Sequence, residues 1–89
     1  MRHETTVLIV MENVHQALKM EERCDLADIN CRTVAKPRTL GADCGIALKI
    51  NAKLIPLIKK FANEENCTIF GVFYQEHQHW LPYPDNPSE

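Results

Sequence analysis

Residues 45–76, GIALKINAKLIPLIKKFANEENCTIFGVFYQE, contain the succession of patterns that decides the fold. Apolar residues alternate with smaller or charged ones in GIALKI, and this alternation predicts a strand. Residues 51–66 then carry apolar side chains at helical spacing, and Pro56 near the first turn indicates that this helix starts late or irregularly. CTIFGVFYQE, residues 67–76, reads as another strand. This half of the chain is therefore predicted to be strand, helix, strand.

The residues before this stretch provide the remaining elements. TTVLIVM, residues 5–11, is β-branched and almost wholly apolar, as expected of a central strand covered on both faces. Asn13 can cap the amphipathic helix that follows, and DIN, residues 28–30, ends it. CRTVAK, residues 31–36, is polar enough to be an edge strand, which Pro37 stops.

Together the elements follow the order βαββαβ. In a chain of this length that order predicts an α+β, ferredoxin-like fold: an antiparallel four-stranded sheet with two helices on one face. We expect one domain over residues 1–76. Residues 77–89 hold three of the five prolines, together with His77 and His79, and are predicted to form an irregular tail.

Composition limits the classes of function that the chain can have. With 89 residues it can build one modest core, which disfavours an enzyme with a large enclosed active site and favours a non-enzymatic role. The formal net charge of −2 argues against nucleic-acid and membrane-surface binding. The four cysteines are widely spread, without a CxxC pair or a secretory signal. This pattern predicts reduced thiols in a cytoplasmic protein without metal or cofactor.

The predicted strand directions bring distant residues together, because the first two strands run one way and the last two run back. One edge of the sheet is expected to hold Asn13, His15, Arg38, Cys44 and Cys67. The opposite edge is expected to hold Cys24, Cys31, His77 and His79.

Cys44 lies in the loop that enters the third strand, between Asp43 and Gly45. A helix N-terminus and Arg38 would both favour its thiolate, which is the nucleophilic form. The carboxylate of Asp43 would act against this by raising the thiol pKa. His15 could assist the thiol, but its position favours a solvated residue at a helix start over a catalytic base.

CGIAL at residues 44–48, preceded by Pro37-Arg38 and a short loop, resembles the central motif of a family of small bacterial selenium/sulfur-carrier-like proteins. NVHQAL, residues 13–18, is similar to the opening motif of that family, and the resemblance extends over residues 5–76. It implies that Cys44 is the characteristic cysteine and that Gly45 is the glycine after it. Two departures are Asp43, where the family has a small residue, and the tail.

The resemblance implies a sulfur or selenium carrier that holds its cargo as a persulfide or perselenide on Cys44. Its partners would be a donating and an accepting protein. An alternative is a small-molecule-sensing or assembly module. The open sheet face is expected to be covered either by the tail residues Trp80, Leu81 and Tyr83 or by a second copy of the chain in a homodimer. Another alternative is a metal-binding protein that uses His77 and His79 near Cys31. In a purely structural interpretation, Cys44 is a small buried residue at the start of a strand. Cys24, Cys31 and Cys67 are expected to be packing residues as well.

Overall fold

A computed structural model of the protein describes residues 5–41 and 45–83. Its elements are β1 (Thr6–Met11), α1 (Val14–Leu26), β2 (Arg32–Ala35), β3 (Ile46–Asn51), α2 (Ile55–Glu64), β4 (Ile69–Glu76) and β5 (His79–Pro82). One-turn 3-10 helices at Arg38–Leu40 and Ala52–Leu54 precede β3 and α2. All strand pairs are antiparallel, in the order β2-β3-β1-β4-β5. The α+β class with two helices and an antiparallel sheet is confirmed.

The prediction of four strands is wrong, because part of the expected irregular tail forms β5. His77 and Gln78 both have positive φ, 52° and 68°. This is the backbone of a type I′ turn, whose twist matches that of the strands it joins. The chain therefore reverses directly, and His79 pairs with Glu76. Residues 84–89 of the tail lie outside the described residues.

The two faces of the sheet bury different sets of side chains. On one face, residues of β1 and β3 pack against both helices; they include Val7, Ile9, Met11, Leu48 and Ile50. On the other, which we call the open face, Leu8, Val10 and Ala47 pack with Leu40 of the first 3-10 turn, and Phe73 and Trp80 contact this cluster. β1 is central and covered on both faces, as predicted. Within the described parts of the chain, no helix is long and apolar enough to cross a membrane.

Local sequence explains where both helices begin. The side chain of Asn13 accepts a hydrogen bond from the Gln16 amide at 2.9 Å, which confirms the predicted cap of α1. Pro56 lies in the first turn of α2, where an amide donor is not needed, and the 3-10 turn before it is the irregular start that this proline indicated.

A bulge changes which side chains of β4 face the helices. The register moves from Val10↔Gly71 to Met11↔Ile69, so one residue of β4 is left without a partner. Ile69 consequently packs with Val72 and Tyr74 on the helix side, whereas Phe70 is half exposed. Simple alternation would place Phe70 on the same face as Val72 and Tyr74, and the bulge breaks that alternation.

Candidate functional site

One edge of the sheet, which we call the α1-start edge, contains the end of β1 and the starts of α1, β3 and β4. Continuing the β1–β3 register by three residues from Ile9↔Leu48 sets Gly45 opposite Glu12. On the other side of β1, the Glu12 amide donates to the Thr68 carbonyl at 3.1 Å. β2 also ends here, since Ala35 pairs with Ile46.

The N-terminus of α1 is held at this edge by side-chain hydrogen bonds. The backbone amide of Gln16 donates to the Asn13 side chain. The side-chain oxygen Oε1 of Gln16 accepts a hydrogen bond from the backbone amide of Thr68 at 2.8 Å. His15 is the second residue of the helix and is exposed. The link from Gln16 to β4 was not predicted. Its only sequence signal is a glutamine three residues after an N-cap, a position that normally bonds back to the cap itself.

The segment from Lys36 to Gly41 contributes the second part of the edge. Arg38 starts the 3-10 turn and is exposed, while Leu40 of the same turn is buried on the open face. The Lys36 amide donates to the Gly45 carbonyl at 3.0 Å, which ties this segment to the start of β3. Cys44, the predicted cargo-carrying residue, and its neighbour Asp43 lie outside the described residues.

Gly45 is exposed and has free space beside it. A Cβ at this position would have no heavy atom within 4 Å. Packing against the described residues therefore does not require glycine here. Arg38, Gly45 and His15, three of the four predicted site residues, thus lie at one edge of the sheet with two exposed side chains and an accessible backbone.

Cys67 lies at the same edge, in the turn between α2 and β4. It is partly buried, and its Sγ donates to the Glu65 carbonyl at 3.6 Å. Burial raises the pKa of the Cys67 thiol, and Lys19 nearby opposes this in part. The raised pKa makes this residue a weaker nucleophile than a free cysteine at neutral pH.

Cys24 and Cys31 form a buried thiol pair at the opposite edge. After α1, Asp28 takes a positive φ of 61° and the Ile29 amide donates to the Cys24 carbonyl at 2.8 Å, so the chain folds back over the last helical turn. The two thiols share a hydrogen bond, which lowers the pKa of Cys24 and raises that of Cys31. Both are buried, as expected of packing residues, but their contact was not predicted.

The tail histidines do not form the arrangement expected for a metal site. His77 is in the turn and His79 is in β5, so the two do not share a strand face. β2 and β5 are the outer strands of the sheet, which separates Cys31 from the histidines by about 19 Å at the usual strand spacing. Among the residues that the structure describes, no cluster of three or more His, Cys, Asp or Glu could hold a metal ion. The metal-binding interpretation has no geometric support.

Comparison with known protein families gives one match. The model of a family described as "Putative Se/S carrier protein-like" matches residues 6–74, which is well over half of the chain. The match spans β1 to most of β4 and includes Arg38, Cys44 and Gly45. Neither the curated proteins nor the solved structures contain a match to the chain.

Proposed function

The chain belongs to the Se/S-carrier-like protein family, and from this membership we propose that it is a carrier, not a catalyst, with Cys44 as the residue that holds sulfur or selenium. The family match is the observation that carries the proposal. Thiol-based transfer requires reduced cysteines, so we place the protein in the cytoplasm. We also assign residues 1–76 to the ferredoxin-like class, on the order β2-β3-β1-β4 of the first four strands.

The proposed reaction is an exchange in which electrons balance without an external oxidant. The Cys44 thiolate attacks the terminal sulfur of a donor persulfide, a new S–S bond forms on Cys44, and the donor cysteine leaves as a thiolate. A nucleophile on the acceptor protein then attacks the terminal sulfur, and Cys44 leaves as a thiolate. A perselenide would react in the same way.

The α1-start edge supports this chemistry through its charges. The N-terminus of α1 carries a partial positive charge, and Arg38 adds a full one at the same edge. Both would favour a thiolate or a persulfide anion next to Gly45. His15 is assigned the same supporting role, and Gly45 is proposed to leave room for a docked partner.

Site-resolved alkylation tests the proposal. The protein is alkylated over a series of pH values, before and after exposure to inorganic polysulfide, and each cysteine is followed by mass spectrometry. We expect Cys44 to react with an apparent pKa near 7 or below and to gain one sulfur atom. Cys67 should react only at higher pH, because burial raises its pKa.

Matched variants separate Cys44 from the other thiols. Cys67→Ser should still load one sulfur atom, whereas Cys44→Ser should load none. If Cys44 is no more reactive than the buried Cys24, the carrier proposal is wrong. The sensing or assembly alternative would then take its place, since a sensor should keep its behaviour in the Cys44→Ser variant.

A further inference from the structure

A groove crosses the part of the open face that Leu40 and its neighbours leave uncovered. We call it the sheet groove; its volume is about 640 Å³, and its lining includes Thr6, Leu8, Val34, Pro37, Lys49 and Trp80. Leu8 and Val34 belong to the apolar cluster of this face, and Trp80 packs beside them from β5. The groove therefore has an apolar floor, formed by Leu8 and Val34, and an aromatic side chain, Trp80, at one side.

Two cations lie side by side at one end of the sheet groove. Lys49 of β3 is directly opposite Arg32 of β2 in an antiparallel pair, so both residues are on the open face. A second depression of about 470 Å³ adjoins the first, shares Thr6 and Lys49 with it, and is lined also by Arg32. Among the described residues that line the two depressions, Lys49 and Arg32 are the only charged ones.

This cation pair lacks an acidic partner in the described part of the chain. Neither side chain forms an ion pair with any residue in 5–41 or 45–83. Like charges directly opposite each other on neighbouring strands are destabilising. The fold keeps them together beside an apolar groove, and a bound anionic group would remove the repulsion.

We propose that the sheet groove binds an acidic, partly apolar segment of a partner protein. Carboxylates of the segment would lie against Lys49 and Arg32, and apolar side chains against Trp80. A peptide fits better than a small molecule, because the groove is open to solvent, whereas small-molecule sites bury most of their ligand. A nucleic acid is disfavoured by the net charge of −2.

The position of the groove also fits a docking role in transfer. Gly45 immediately precedes β3, and Lys49 lies four residues after it, about 13 Å along the extended chain. A segment of four or five residues could thus contact the cation pair while its protein reaches the α1-start edge. The inference that this partner donates or accepts cargo rests on the proposed function. The inference that the groove binds an acidic segment is independent of it.

The single tryptophan of the chain provides the measurement. The full-length protein is titrated, with Trp80 fluorescence as the signal, with a capped hexapeptide in which glutamate alternates with leucine. Two matched peptides carry glutamine or lysine in place of glutamate. We expect saturable binding of the glutamate peptide only, weakened by salt.

Substitution of the two cations tests whether they bind the peptide. The double variant Lys49→Gln/Arg32→Gln should weaken binding of the glutamate peptide by roughly tenfold or more, and Lys60→Gln, which removes an exposed helical lysine, should not change it. Thermal melts of each variant check that the fold is retained. Cys44→Ser should bind normally, so a failure of the carrier proposal would leave this result intact.

Three outcomes would overturn the inference. The first is equal binding of the glutamine peptide, which would mean that the charges do not recognise the ligand. The second is the same fluorescence change with sodium sulfate at equal concentration, which would indicate a site for small anions. The third is a concentration-dependent dimer, seen by sedimentation, whose formation alone shields Trp80; the occupant would then be a second copy of the chain.

Discussion

Gly41 and Gly45 flank residues 42–44, but the two glycines have different physical roles. Gly41 has φ 70° and ψ −160°, a conformation that residues with a side chain rarely adopt. Nothing in the described chain fills the space where the Cβ of Gly45 would be. The backbone conformation therefore requires glycine at position 41, whereas packing against the described residues does not require it at position 45.

Substitution by alanine should separate these roles. We expect Gly41→Ala to lower the free energy of unfolding by about 1–3 kcal/mol through backbone strain. Gly45→Ala should change it by less than about 0.5 kcal/mol, as at other open surface positions. Urea denaturation measures both values. In a sulfur-transfer assay, Gly45→Ala should nevertheless slow transfer; unchanged transfer would exclude Gly45 from docking.

At the scale of elements, both helices end in the same way without glycine. Asp28 and Asn66 take positive φ values of 61° and 62° just after α1 and α2. In each case the next amide bonds back to the helix, Ile29 to the Cys24 carbonyl and Cys67 to the Ala62 carbonyl, both at 2.8 Å. These two turns return the chain to β2 and β4.

The stability of Asn66 variants should depend on how easily the new residue adopts the left-handed backbone conformation at this position. Asn66→Gly should leave stability unchanged or raise it, because glycine adopts this conformation freely. Asn66→Ala should lower the free energy of unfolding by about 1 kcal/mol. Thermal melts would show these changes, with Asn63→Ala, an exposed helical position, as the control. Equal stability of the glycine and alanine variants would contradict the explanation.

At the scale of the whole molecule, the ion pairs among the described residues involve Arg23 on the helix side, and none involves the two cations of the open face. Arg23 of α1 lies 3.9 Å from the centre of the Phe61 ring and pairs with Glu64 at 3.4 Å and Glu65 at 3.7 Å. Arg32 and Lys49 instead lie opposite each other on the open face. Arg23 is thus paired within the chain, whereas Arg32 and Lys49 form no ion pair with a described residue and are suited to a charged partner.

Reversing one charge should therefore stabilise the fold while removing the proposed binding. Arg32→Glu would place opposite charges across β2 and β3, which we expect to raise the free energy of unfolding by about 0.2–1 kcal/mol at low salt. Arg32→Gln should give a smaller gain, and both should weaken binding of the glutamate peptide. A loss of stability in Arg32→Glu would indicate that Arg32 already has a favourable partner.

The sequence by itself determined the central strand, the edge position of β2, the Asn13 cap and the late start of α2, because periodicity, capping and proline chemistry act within a few residues. Its CGIAL motif also indicated the family. Only the tertiary structure decided that residues 79–82 add a fifth strand, that a bulge turns Phe70 away from the helices, and that Arg32 meets Lys49. Strand pairing and register join residues far apart in the chain, so local pattern does not specify them.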